Sequence, residues 1–462
     1  MTIIHGPSLQ KPRSQLDLRY ILLISLVAAF GGFLFGYDTA VVSGAIGFLA
    51  RYFSLSAELT GWAASSLLVG CMAGAMVAGP LGDRIGRKRS LILCAVLFAG
   101  SSVASALPDT LGMFAWSRFA GGIAIGAASM LSPLYIAEIS PEKIRGTLVA
   151  LYQLAIVVGI LVVFFVNLQI QRLGDETWNT EIGWRWMFAS LALPSVLFGL
   201  FMAVVPESPR WLMKMGRRNE ARSILERVSG PADAEREIGQ IEEALQQEEG
   251  KWSELFTSGY RRALVIGTVL AMFSQFSGIN AIMYFAPEIF RAAGSGRDDA
   301  FMQTVTVGVV NLAFTFVAIW LVDRAGRKPL LIVGTSVQVV SLFSVGLMFD
   351  RSSHGALLLL SILAFVAAFA CSTGPITWIM NSEIFPTKLR GRAMSIAVVF
   401  LWFCDFLVTQ TFPMLRESVG PARTFWFYAF CSLLSTIFIV AMVPETKGRT
   451  LEEIEASWRG GR

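Results

Sequence analysis

Between two long apolar runs stands Gly79-Pro80-Leu81-Gly82-Asp83-Arg84-Ile85-Gly86-Arg87-Lys88. A second copy, Val322-Asp323-Arg324-Ala325-Gly326-Arg327-Lys328, follows 240 residues later, counted from Asp83 to Asp323. In a soluble protein a charged loop of this kind is ordinary. Here it interrupts segments long enough to cross a bilayer, and it recurs half a chain on. The pattern implies two homologous halves in a membrane, each with the same clasp.

Composition agrees. The chain is 54% hydrophobic, 12% aromatic and only 15% charged, where a soluble chain carries about 25% charged residues. Apolar runs near the length of a membrane span are expected at 19–41, 60–81, 90–107, 112–136, 147–170 and 186–205. A second set lies at 262–285, 302–322, 329–349, 356–380, 393–413 and 424–443. The fold class is therefore all-α, twelve transmembrane helices in two six-helix pseudo-symmetric bundles. Residues 1–18 form an N-terminal tail, 19–205 the first bundle, 206–261 a charged linker with short helices, 262–443 the second bundle and 444–462 a C-terminal tail. The first apolar run lacks a small-residue cleavage site and is read as a retained span.

Lys and Arg set the orientation. With the N-terminus inside, 29 of the 38 fall on the cytoplasmic side and 8 outside, and Arg118 lies within a span. Both termini are expected in the cytoplasm of a cell that carries this chain in its plasma or bacterial inner membrane. The five cysteines lie in apolar spans without metal spacing, and the two histidines, His5 and His354, are isolated. No metal, cofactor or nucleic acid is called for, and no nucleophile–base pair suggests an enzyme.

The repeat extends beyond the clasp. Ala137-Glu138-Ile-Ser-Pro-Glu-Lys-Ile-Arg145-Gly146 matches Ser382-Glu383-Ile-Phe-Pro-Thr-Lys-Leu-Arg390-Gly391, and Pro206-Glu207-Ser-Pro-Arg210 matches Pro444-Glu445-Thr-Lys-Gly-Arg449. Asp83, Arg87, Glu138, Arg145, Glu207 and Arg210 in one half, and Asp323, Arg327, Glu383, Arg390 and Glu445 in the other, form a candidate cytoplasmic gate. Such a network would hold the cytoplasmic ends together in one state and part in the other. Independent surface ion pairs, each worth little, are the bland alternative.

Ionisable residues at membrane depth are rare and are usually paired or functional. Asp38 follows Phe35-Gly-Tyr37 in the first span, and Arg118 opens the fourth. Together they make a candidate proton-coupling switch, with a permanent structural ion pair as the alternative. Asp405, in the eleventh span, has no obvious partner. Contact with a substrate hydroxyl, carriage of a second proton and exposure to a water-filled cavity all remain open for it.

Gln153, Gln275, Asn280, Asn311 and Trp378 are polar or amphipathic groups in apolar spans. Amides exchange hydrogen bonds with hydroxyls and an indole covers apolar C–H faces, which suits a polyol. A lone amide in a span is otherwise helix–helix glue. Gly278, and Pro375 after Gly374, are expected to break their helices.

These residues resemble the sugar porter family of the major facilitator superfamily from about residue 20 to 455. The clasp pair, Arg118-Phe-Ala-Gly121-Gly122, Pro206-Glu-Ser-Pro-Arg-Trp211, the run Phe273-Ser-Gln-Phe-Ser-Gly-Ile-Asn280-Ala-Ile-Met-Tyr284 and Pro444-Glu-Thr-Lys-Gly448 carry the likeness. The resemblance implies alternating access around a monosaccharide. It also implies that Gln153, Gln275, Asn280, Tyr284, Asn311 and Trp378 match sugar-contacting positions, and that Asp38 and Arg118 match the carboxylate and arginine of proton-coupled members. Three positions depart from the family pattern. Ser274 replaces the first of two glutamines, Leu401 a polar residue and Asp405 a frequent asparagine. Asp405 joins the candidate substrate-binding set.

The expected function is proton-coupled import of a neutral hexose or pentose by a monomer bathed in membrane lipid. A uniporter for a sugar or cyclitol is the alternative, and would need Asp38 to keep one protonation state. A membrane sugar sensor, or an antiporter of the same superfamily, fits the motifs less well.

Overall fold

A computed structural model describes residues 18–141, 144–246, 252–351, 355–385, 389–448 and 453. Twelve helices among them are long and apolar enough to span a membrane. Those of the first half are Leu18–Tyr52, Ala57–Ile85, Arg87–Ala106, Leu111–Ile139, Arg145–Arg172 and Glu176–Val204. Those of the second are Tyr260–Ala292, Arg297–Ala325, Arg327–Asp350, Ala356–Ile384, Gly391–Ser418 and Pro421–Met442. They are called the first to twelfth spans below.

Local chemistry sets the helix ends. The Ser56 hydroxyl accepts from the Leu59 N–H at the start of the second span, and Thr110 accepts from Met113 at the start of the fourth. Each satisfies an N–H that the first turn leaves without a partner. The sixth span starts ten residues before its expected position. Asp175 caps Trp178, and the Asn179 amide donates to the carbonyls of Gln171, Gly174 and Asp175, so a polar stretch is drawn into the helix. The first span also runs eleven residues past its expected end, through the small residues of Val42–Leu49.

The outer face of the bundle is apolar. Val96, Leu200, Val340 and Ile437 are 56–70% exposed, an arrangement that fits a lipid solvent and not water. Inside, the fourth span approaches the second so closely that a Cβ on Gly122 would lie 1.9 Å from the Leu67 carbonyl oxygen, and one on Gly126 2.1 Å from that of Cys71. Small residues that let backbones touch substitute for the hydrophobic drive that lipid removes.

The halves meet along three lines. The first span packs on the seventh, the second on the eleventh and the fifth on the eighth. Exchanging the halves turns the second–eleventh pair into the eighth–fifth pair, which is the signature of a twofold relation. Between the halves, Pro209–Lys214, Arg218–Ser229 and Pro231–Gln246 form short helices. They are tied together by Arg218 and Arg222, which bridge to Glu235 across the turn.

Candidate substrate cavity and its two gates

The clasps repeat in atomic detail. Gly86, at φ +96°, and Gly326, at φ +90°, turn the chain between consecutive spans in a conformation that L side chains avoid. A Cβ at Gly86 would also strike Glu207. The next arginine then reaches across its half: Arg87 binds Asp83 at 2.9 Å and Glu138 at 3.0 Å, and Arg327 binds Asp323 at 3.3 Å and Glu383 at 2.9 Å. Ser208 donates to Glu138, and Thr446 donates to Glu383.

Glu207 and Glu445 do something the charge pattern did not foretell. Each caps the helix that follows the clasp. Glu207 accepts from the backbone N–H of Lys88 at 3.0 Å, and Glu445 from those of Arg327 and Lys328 at 3.1 and 3.0 Å. Burial pushes the Glu445 carboxyl up, but the backbone N–H groups of Lys447, Arg327, Lys328 and Thr446 outweigh it and hold its pKa below the usual value. Arg145 is exposed and reaches only the Ser140 carbonyl, at 3.5 Å. Arg210 is exposed and joins no ion pair among the described residues, and the Arg390 side chain lies outside them. Lys214 of the linker adds an ion pair to Asp83 at 3.0 Å, and among the described residues no clasp ion pair joins one six-helix half to the other.

At the opposite end, polar contacts cross between the halves. Arg172 of the fifth span holds Asp298 of the eighth with two bonds, at 2.6 and 2.7 Å, and Gln171 adds a third. Glu176 of the sixth span receives Arg291 and Arg297 from the second half. Gln410 of the eleventh span accepts from Ser65 and donates to the Glu58 carbonyl of the second. Gln410 was not singled out from sequence, although a glutamine in an apolar span is the same signal that marked Gln153.

Between the gates lies a cavity of about 1980 Å³ that runs from the middle of the bundle to the clasps. Gln153, Gln275, Asn280, Tyr284, Asn311, Trp378 and Asp405 all line it, drawn from both halves. Ser274 and Leu401 line it too, as do Tyr152 and Trp402, which sequence reasoning passed over. The Gln153 side chain makes no hydrogen bond among the described residues. Asn280 donates to Gln275 at 2.8 Å, and Gln275 donates to Ser274 at 3.2 Å. This chain of amides is set at a break in the seventh span. Gly278 has φ +81° there, and a Cβ on it would meet the Tyr428 ring at 2.7 Å. In the tenth span the break falls at Ser372 (φ −131°, ψ −96°) and not at Gly374 or Pro375. Pro375 sits in the first turn of the new helix, where a missing N–H costs little.

The Asp38–Arg118 pair lies beside the cavity but is shut from it. Asp38 is fully buried and Arg118 is 1% exposed. One terminal nitrogen of Arg118 binds the Asp38 carboxylate and the other donates to the Asp38 carbonyl at 2.9 Å. The guanidinium stacks 5.0 Å over the Phe188 ring. Asp38 Oδ2 has no partner. Phe35 and Thr39 face the cavity, while the Asp38 carboxylate is turned toward the fourth span.

Twelve membrane helices in two like halves around a central cavity define a transporter of the major facilitator superfamily. A family model described as "Sugar (and other) transporter" matches residues 24–458. The chain is 46% identical over 454 residues to the arabinose-proton symporter of Bacillus subtilis (strain 168), covering 98% of each. It is 42% identical over 478 residues to the D-xylose-proton symporter of Escherichia coli (strain K12), covering 96% of this chain and 97% of that one. Its fold matches the inward open conformation of the xylose transporter XylE from E. coli with a TM-score of 0.85 at 42% identity, covering 95% of this chain and all of that one. The chain belongs to the sugar (and other) transporter family, the sugar porters, and it is a multi-pass membrane transporter and not an enzyme.

Proposed function

We propose that this protein is a proton-coupled symporter that imports a neutral monosaccharide, a hexose or pentose, by alternating access. The observation that carries the reading is the buried Asp38–Arg118 pair beside a cavity lined by amides and tryptophan. The relatives named as arabinose-proton, D-xylose-proton and galactose-proton symporters support it.

In this reading the clasp end is cytoplasmic, as the Lys and Arg bias requires, and the structure is the inward-facing state. TM-scores of 0.85 against inward open XylE and 0.83 against its partially occluded inward open form support that assignment. Arg172–Asp298, Glu176 and Gln410 are then the closed outer gate, and the clasps form the parted inner gate. In the outward-facing state the clasps come together across the halves and the outer contacts break.

The coupling follows from differential affinity. A proton shifts the equilibrium between states only if it binds one more tightly than the other. Here Arg118 occupies the Asp38 carboxylate. Protonation weakens that pair and favours the outward-facing, sugar-binding state. Gln153, Gln275, Asn280, Asn311 and Trp378 hold the sugar, whose hydroxyls replace the water that the open cavity admits.

Uptake of labelled hexoses, pentoses and inositol into proteoliposomes, with and without an inward proton gradient, tests the proposal. Accumulation only with the gradient is expected for at least one sugar. Equilibration indifferent to the gradient would make the protein a uniporter and leave Asp38 a structural charge.

A further inference from the structure

Asp405 is a buried carboxylate in the middle of a span that the symport scheme leaves without a task. It lies in the middle of the eleventh span, is 1% exposed, and lines the central cavity. Its ligands are hydroxyls. Thr409, one turn on, donates to Oδ1 at 3.2 Å, and Tyr284 of the seventh span donates to Oδ2 at 3.4 Å. The Asn280 amide faces the same carboxylate.

Among the described residues no cation pairs with Asp405. The two buried arginines are both engaged, Arg87 by Asp83 and Glu138 at the clasp, and Arg118 by Asp38. The remaining titratable groups around Asp405 are neutral. They are the Cys71 thiol from the second span, which interacts electrostatically with both Asp405 and the Asp38–Arg118 pair, Tyr284 from the seventh and Cys404 beside it. Among the described residues, no titratable group of the tenth or twelfth span hydrogen-bonds or pairs with Asp405. A buried carboxylate that is neither paired nor neutralised is costly. Two hydroxyl donors offset part of that cost, and a proton removes it.

The contrast with Asp38 is geometric. Asp38 is sealed from the cavity and held by an arginine. Asp405, though equally buried, lines the cavity wall and is held by groups that a neutral acid keeps equally well. Asp405 lines the same cavity as the clasp residues Asp83, Arg87, Asp323 and Arg327, and Asp38 does not line it.

We propose that Asp405 is a second proton-binding residue, on the C-terminal half, that loads and unloads through the cavity and senses the sugar directly. The proton comes from the solution on the outer side and leaves to the clasp side; no covalent bond changes. Ionised, Asp405 accepts a hydrogen bond from a sugar hydroxyl. Protonated, it also donates one to a sugar oxygen, so the affinity for sugar depends on its state. The proposal rests on the symport reading above.

The test compares wild type with Asp405→Asn and Asp405→Glu in proteoliposomes, using the sugar identified by uptake. Two quantities are read: protons carried per sugar, from the gradient that just balances a sugar gradient, and the pH profile of sugar affinity. Asp405→Asn is expected to lower the proton-to-sugar ratio and to flatten the pH profile while gradient-driven uptake persists through Asp38. Asp405→Glu should restore both. Sugar exchange at equal concentrations identifies variants that are folded, and thermal unfolding of each purified variant in detergent separates misfolding from lost coupling. An unchanged ratio and an unchanged pH profile in Asp405→Asn would overturn the proposal. Absence of gradient-driven uptake in the wild type would overturn the symport reading instead.

Discussion

Arg118 holds Asp38 twice, by its carboxylate and by its own backbone carbonyl. The second bond goes to a backbone carbonyl, whose charge does not change with the carboxylate's protonation. The arginine is therefore fixed to the first span whether or not the carboxylate is protonated, and a proton changes the strength of the contact without dismantling the helix pair. Asp38→Asn is expected to abolish proton-driven accumulation yet to spare counterflow exchange of labelled for unlabelled sugar. Accumulation that survives intact would remove Asp38 from the mechanism.

Removing the arginine has a different consequence. Arg118→Ala strands a carboxylate in the protein interior. Breaking one partner of a buried pair costs about 3–5 kcal/mol, so thermal unfolding in detergent should fall well below the wild type. The double variant Asp38→Asn/Arg118→Leu should recover most of the loss. Equal stability of the single and double variants would contradict a buried charge pair.

Gln153 projects into the cavity with no hydrogen bond among the described residues, which leaves both ends of its amide for a ligand. Gln153→Ala is expected to weaken sugar binding by about 1 kcal/mol, roughly fivefold in Kd. The check is equilibrium binding by quenching of intrinsic tryptophan fluorescence. Unchanged affinity would take Gln153 out of the pocket.

Glu445 caps the ninth span by accepting from Arg327 and Lys328. Its folded-state pKa is depressed from a usual value of 4.5. A depressed carboxylate contributes stability that is fully present above its unfolded pKa and is lost as the pH falls through the folded one. The contribution is thus intact at neutral pH and disappears in the acid range below 4.5. Glu445→Ala should destabilise the purified protein by about 1 kcal/mol at pH 7 and by less at pH 4. A loss independent of pH would contradict capping by an ionised carboxylate.

Much of this was legible in the sequence because a bilayer punishes polarity. Asp38, Arg118, Gln153 and Asp405 stand out in apolar runs for the same reason that they are functional candidates, and the clasp repeat exposed the two halves. Other features needed coordinates. Glu207 and Glu445 read as members of an ion-pair network, but their partners are backbone N–H groups, which no residue pattern announces. The amphipathic start of the sixth span was hidden because Asn179 draws its stability from backbone carbonyls and not from apolar burial. The helix break at Ser372 lies one turn ahead of the Gly-Pro pair that signalled it. Which end of the cavity is closed is a property of the conformation, which the sequence pattern does not announce.

Proton movement triggered by sugar tests the central claim most directly. Purified protein in lightly buffered vesicles, with no imposed gradient, is given an excess of the transported sugar while external pH is followed with an electrode. A prompt alkalinisation that scales with sugar entry, and that is absent in Asp38→Asn, is the expected result. Sugar entry in the wild type with no change in external pH would contradict proton coupling.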